Sequence, residues 1–118
     1  TVPYNYFMAK IAELYYRAAG DLNMGNPLST GDVETSCKQE LIAKGNAISQ
    51  RLLEIYGDNM KYYLSLKGTS YFKYVEQEMS QSLYILQALS ATLKQTSQKE
   101  LADKTEKEFT EYAQKAGF

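Results

Sequence analysis

The sequence predicts an all-α protein: a single-domain antiparallel bundle of four long helices, with a short extra helix between the second and third. Two observations lead there. Apolar residues recur at spacings of three and four almost from end to end, which is the period of one helix face. The glycines, prolines and capping residues fall mainly between these runs rather than within them. Composition agrees, because 44% hydrophobic and 23% charged residues in 118 are ordinary globular usage. No repeat or low-complexity linker divides the chain, so residues 1–118 are read as one domain.

The first helix is expected over residues 4–19. Tyr4, Phe7, Met8, Ile11, Tyr15, Ala18 and Leu22 form its apolar stripe. Pro3 stands at its entrance, where a missing amide proton costs little, and Gly20 is expected to stop it. Residues 20–31 read as the one real loop. Asn26-Pro27 favours a turn there, and Leu22, Met24 and Leu28 are expected to pin the loop to the body. Such a loop on a rigid scaffold is a place to look for function, with a plain connector as the favoured reading.

Ser29, Thr30 or Asp32 can cap the second helix, expected over residues 32–56. Val33, Cys37, Leu41, Ile48, Leu52 and Ile55 mark its buried side. Gly45 lies mid-helix at a cost of about 1 kcal/mol relative to alanine, which either permits a close helix crossing or is tolerated slack. Gly57-Asp58 is expected to break this helix, with a short helix over residues 59–66 following and Gly68-Thr69-Ser70 breaking the chain again. The third long helix, over residues 72–94, has the stripe Phe72, Val75, Met79, Leu83, Leu86, Ser90 and Leu93. Ser97-Gln-Lys-Glu100 has the pattern of a capping box for the fourth helix. Leu101, Thr105, Phe109, Tyr112 and Ala116 carry that helix's stripe, and Gly117 ends it. Glu100–Lys104, Asp103–Lys107 and Glu111–Lys115 are acid-first pairs on its solvated side.

The residue inventory narrows the chemistry. With eleven tyrosines and no histidine, the chain lacks the side chain most used for proton transfer near neutral pH. Glu-x-x-His metal pairs and Ser-His or Cys-His nucleophiles are therefore excluded. Glu76 and Glu78 are the nearest carboxylate pair by position, but two residues apart on a helix they point to different sides. Residues 66–70 lack the order of a phosphate loop, and residues 21–32 lack the ligand positions of an EF-hand. The expectation is a protein that is not an enzyme and uses no cofactor or metal. Cys37 is the sole cysteine, so no intramolecular disulfide is possible, and it is expected to be a small buried hydrophobe. The best apolar stretch, residues 83–93, is interrupted by Gln87 and Ser90 and is too short to cross a membrane. The opening Thr1 inclines the reading toward an exported protein, periplasmic or secreted, whose signal peptide has been removed, with a cytoplasmic one as the other reading.

What stands out is surplus apolar surface. Ile42, Leu53 and Tyr56 lie off the core stripe of the second helix, and Tyr74, Ile85 and Ala88 form a like strip on the third. Either these helices are central and flanked on two sides, or a partner covers the strips. Tyr62, Tyr63, Tyr71, Phe72 and Tyr74 also cluster with Lys61, Lys67 and Lys73. Nucleic acid is disfavoured as the partner by a net charge of -1 and by only two arginines, Arg17 and Arg51. Both arginines have a glutamate, Glu13 and Glu54, at ion-pair spacing. The expected contact set is Tyr62, Tyr63, Tyr71, Tyr74, Ile42, Leu53, Tyr56 and Ile85. It faces another protein, or a second copy of this chain in a homodimer. The bland outcome is that Phe72 and two tyrosines simply fill the corner between helices. The alternative function is a bundle that binds a small apolar ligand among tyrosine hydroxyls and Met8, Met60 or Met79.

Overall fold

The computed structural model describes the backbone of residues 2–23 and 31–118, and the side chains of residues 5, 7–20 and 37–118. The described chain is helical: α1 (Val2–Asn23), α2 (Gly31–Ser65), a 3-10 turn (Phe72–Val75), α3 (Glu76–Gln95) and α4 (Lys99–Ala116). The all-α, four-helix expectation therefore holds, with one difference in count. The short helix expected over residues 59–66 is the continuation of α2.

Two expected breaks are absent: a single glycine costs a helix only about 1 kcal/mol, which leaves room for it to continue. Gly20 does not stop α1, which runs three residues further to Asn23. Gly57 does not stop α2, which spans 35 residues without interruption. Gly57 is buried against α4, where a Cβ built on it would lie 3.6 Å from the Tyr112 hydroxyl. It is a contact point rather than a terminator. At 1.5 Å per residue α2 is about 52 Å long, which accounts for most of the 64 Å long axis of the molecule. Of the expected loop, residues 24–30 lie outside the described residues.

The corner after α2 does turn at Gly68, whose φ of +89° is the left-handed conformation that glycine adopts without a Cβ penalty. At the other end of α3, a Schellman motif closes the helix: the Gln98 amide donates to the Leu93 carbonyl at 2.8 Å and the Ser97 amide to the Lys94 carbonyl at 3.3 Å. Ser97 occupies the left-handed position of this motif at φ +65°. That overturns the expected capping box. An N-cap residue needs extended backbone angles, and Ser97 cannot supply them while terminating α3. Gln98 stands at the N-cap instead, without a side-chain cap bond. Gly117 ends α4 in a second Schellman motif, as expected.

α2 and α3 touch each other, and each touches both α1 and α4, while α1 and α4 do not meet among the described residues. The two middle helices are thus flanked on two sides. Tyr56, Met60, Met79, Ile85, Leu86, Leu89 and Leu93 are all at most 2% exposed between them. The expected α3 stripe is met at Met79, Leu83, Leu86, Ser90 and Leu93, all buried.

The α1–α2 seam differs from expectation. α1 buries Ala12, Tyr16 and Ala19, and leaves Phe7 and Ala18 of the expected stripe exposed. Met8, Ile11 and Tyr15 are half-buried, and the Tyr4 and Leu22 side chains lie outside the described residues. The reason is a close crossing at Gly45. A Cβ there would fall 2.6 Å from Tyr16 Cε1, so the ring lies directly on the glycine backbone. The Tyr16 hydroxyl donates to Asn46 Oδ1 at 2.7 Å and shares a 3.0 Å hydrogen bond with Ser49 Oγ. Small residues on both helices permit this approach, and bulky ones are turned outward. On α2, Leu52 is buried as expected, and Leu41, Ile48 and Ile55 are half-buried. Cys37 is exposed, correcting its expected burial, and Val33 lies outside the described side chains.

Candidate functional site

The corner between α2 and α3 gathers the aromatic cluster on a short piece of chain. Tyr62 lies on the open side of the last turns of α2 and is 62% exposed. Its neighbour Tyr63 points inward, half-buried on the core, and the two rings meet edge to face at 5.8 Å. The Thr69 hydroxyl donates to the Leu66 carbonyl at 2.6 Å and accepts the Tyr71 amide at 3.2 Å, which fixes the turn. Tyr71 and Tyr74 then project from either end of the short Phe72–Val75 region at 66% and 69% exposure, while Phe72 packs on the core. The expectation that Phe72 and two tyrosines fill the corner is met by Phe72 and Tyr63 alone.

Charge accompanies the rings. The Lys73 ammonium lies 5.1 Å from the centroid of Tyr74. The Lys67 ammonium donates to the Lys115 carbonyl at 2.7 Å, tying the corner to the end of α4 and satisfying a carbonyl of its last turn. Between the corner and that helix end runs an open groove lined by Phe72, Lys73, Glu76, Met79, Ala116 and Phe118. Phe118 is 57% exposed at its rim.

The other expected contact residues are not brought to this surface. Leu53, Tyr56 and Ile85 are 5%, 2% and 1% exposed, so these three are corrected from contact surface to core. The cause is the middle position of α2 and α3, which the sequence left as one of two explanations for their second apolar strips. Ile42 is half-buried on the first half of α2, far along the helix from the corner. Met60 and Met79, candidates for lining a ligand pocket, are packed in the core, and Met8 lies half-buried against it.

Three phenols are structural. Burial pushes the Tyr16 phenol up, partly opposed by its bond to Ser49. Burial raises Tyr56 as well, opposed by Asn5 and reinforced by Tyr63; its hydroxyl has no well-formed hydrogen bond, and Asn5 is the polar group that leans on it. Tyr112 is raised by burial first, then by the carboxylates of Glu108, Glu111 and Asp58. All three stay protonated near neutral pH. Glu76 and Glu78 are exposed in the first turn of α3, where their charge suits the helix N-terminus. Among the described residues no three acidic or cysteine side chains converge as metal ligands, and no helix is long and apolar enough to cross a membrane.

Sequence reasoning missed Leu14, 65% exposed on α1, and with it the outward turn of Phe7 at 61%. The available signal was the run Ala9, Ala12, Tyr16, Ala19, whose heptad spacing matches the small-residue seam that is buried. Compared with protein-family models, with curated proteins and with solved structures, the chain finds no match in any of the three.

Proposed function

We propose that this chain is a non-catalytic protein–protein interaction module, and that its contact surface is the α2–α3 corner built on Tyr62, Tyr71 and Tyr74. We read the scaffold as an antiparallel bundle, since Tyr16 meets Asn46 and Ser49 across α1 and α2, and Lys94 meets Glu106 at 2.6 Å across α3 and α4. The observation carrying the reading is the exposure of three tyrosines at 62–69% within one corner, anchored by Phe72 and Tyr63 beneath them. Tyrosine rings offer large contact area at small entropic cost, and aromatic residues dominate the energetics of interfaces. The Thr69 bonds and the Lys67 clamp hold the corner in place before a partner arrives, which lowers the ordering cost of binding.

A photo-reactive phenylalanine analogue placed at position 71 or 74 tests this in the source organism. The corner positions form covalent adducts with a defined protein, while the same probe at Tyr84, 58% exposed on α3, does not. Replacing Tyr62, Tyr71 and Tyr74 together by alanine abolishes recovery of that protein with the helical circular dichroism unchanged. Equal recovery by the folded triple variant refutes the corner as the contact.

A further inference from the structure

We propose that the outer face of α1 pairs with the same face of a second copy of this chain, about a two-fold axis that sets Phe7 against the partner's Ala18 and Ile11 against the partner's Leu14. The starting point is the division of α1 into two apolar stripes. Ala12, Tyr16 and Ala19 face α2 and are 0–3% exposed. At 100° per residue, Phe7, Ile11, Leu14 and Ala18 lie within an arc of about 60°, turned about 140° from that buried stripe. Phe7 and Leu14 are 61% and 65% exposed, Ala18 is exposed and Ile11 is half-buried. α4 does not reach α1, and α3 meets it on the side of Ala9, Lys10 and Glu13, which leaves Phe7 and Leu14 open among the described residues. The 4-3-4 spacing is that of a coiled-coil seam, whose natural cover is another helix.

Two features favour a second copy over an unrelated helix. The spacing reads the same in both directions, so a two-fold axis between Ile11 and Leu14 lays the stripe on itself. Sizes then match: the largest side chain, Phe7, meets the smallest, Ala18, and two aliphatics of equal volume meet between them. The area sets the strength. Phe7 to Ala18 spans about 17 Å of helix, and a face about 12 Å wide gives roughly 200 Å² per copy, well below a standard specific interface. A weak, concentration-dependent dimer follows.

Charge permits the pairing. The chain's net charge of -1 produces little self-repulsion. Lys10 and Arg17 border one edge, and both hold Glu13, at 3.3 Å and 2.8 Å, so each copy brings a carboxylate to the edge where the cations meet. The inference is independent of the α2–α3 corner. The Tyr62/Tyr71/Tyr74 alanine variant keeps the dimer, and a variant on the α1 face keeps the corner's cross-linking.

Sedimentation velocity over about two decades of concentration, into the high-micromolar range, reads the association directly. The wild type moves from monomer to dimer. Leu14→Glu remains monomeric with unchanged far-ultraviolet circular dichroism. Phe7→Ala and Ala18→Phe each weaken association about tenfold or more, the first by a lost contact and the second by a Phe–Phe clash. The double variant Phe7→Ala/Ala18→Phe recovers to within a few-fold of the wild type, because it exchanges the two members of one pair. A wild type that stays monomeric throughout overturns the proposal, as does a dimer indifferent to Phe7→Ala. A double variant no better than either single one overturns the two-fold register.

Discussion

Gly45→Ala separates helix propensity from packing, because the two predict opposite signs. By propensity alone, alanine in mid-helix stabilises α2 by about 1 kcal/mol. The structure places the new Cβ 2.6, 2.9 and 3.0 Å from three atoms of the Tyr16 ring. Ordinary carbon contact begins near 3.5 Å, so the ring has to retreat by about 1 Å. It has nowhere to go: Tyr16 is 3% exposed and tethered through its hydroxyl to Asn46 and Ser49. Overpacking of this kind costs about 1–3 kcal/mol, and each hydrogen bond stretched or lost costs about 1 kcal/mol more. After the propensity gain, net destabilisation of about 1–3 kcal/mol remains. Gly20→Ala is the internal control, since its Cβ meets nothing within 4 Å and it lies inside α1; it gains about 0.5–1 kcal/mol. Urea titration followed by circular dichroism at 222 nm reads both as shifts of midpoint at constant slope. In a Tyr16→Leu background the cost of Gly45→Ala shrinks, with a coupling of about 1 kcal/mol or more. A Gly45→Ala protein as stable as Gly20→Ala would falsify the close crossing.

Further outcomes follow from the same contacts. Ser97→Gly raises stability by about 1 kcal/mol, a gain in Tm of a few degrees, because serine at φ +65° carries a strain glycine does not; an unchanged Tm counts against that conformation. Tyr16→Phe loses about 1–2 kcal/mol with its two hydrogen bonds, whereas Tyr56→Phe, which removes a hydroxyl lacking a well-formed partner, is neutral or stabilising. Equal losses in the two variants contradict this assignment. The Arg17 hydrogen bond holds the Glu13 carboxyl below its ordinary range, against burial and with help from Lys10. Its folded pKa is thus below the unfolded value of about 4.3, so its contribution is present above that pH and fades as pH falls through the folded pKa. Glu13→Gln flattens the acid limb of the stability curve by a fraction of 1 kcal/mol, measured by urea midpoints between pH 6 and about 3. Burial raises Tyr16, Tyr56 and Tyr112, which gives the reverse sign at alkaline pH: stability is full below the unfolded value of about 10 and falls as pH rises through the folded ones. Absorbance titration at 295 nm shows these three ionising above the ordinary tyrosine value of about 10.

The all-helical class and the four long helices are legible because the 3.6 period survives along each element, and Met79, Leu83, Leu86, Ser90 and Leu93 of the expected α3 stripe are buried. Helix ends are less so. Gly20, Gly45 and Gly57 look alike in sequence, yet one is open, one lies under a ring and one packs against α4. Only the neighbouring helix decides among these, and that is long-range information. Ser97 shows the same limit at a connection, where one residue had two possible roles and the short link allowed one. At the candidate site, the expected surface tyrosines Tyr62, Tyr71 and Tyr74 are exposed: Tyr62 lies on the open side of α2, and the turn with Gly68 holds Tyr71 and Tyr74 away from the core. Leu53, Tyr56 and Ile85 were misplaced because periodicity assigns one buried face per helix, and a helix with neighbours on two sides has a wider one.

The outer face of α1 follows from that same competition between side-chain sizes. Two stripes on α1 were available to α2: Phe7, Ile11, Leu14 and Ala18, or Ala9, Ala12, Tyr16 and Ala19. Burying the larger set removes more apolar area from water, but large side chains hold helix axes toward the wide end of the 8–10 Å range. At that spacing the Tyr16 hydroxyl and Asn46 do not meet. The small set allows the closer crossing over Gly45 and its hydrogen-bonded network. The consequence is that Phe7 and Leu14, each worth about 1.5–3 kcal/mol when fully buried, realise only about a third of it in the single chain. Against a typical stability of about 5–15 kcal/mol the unrealised part is substantial. The proposed pairing recovers it without disturbing the Tyr16 seam, because the two stripes lie on different sides of α1.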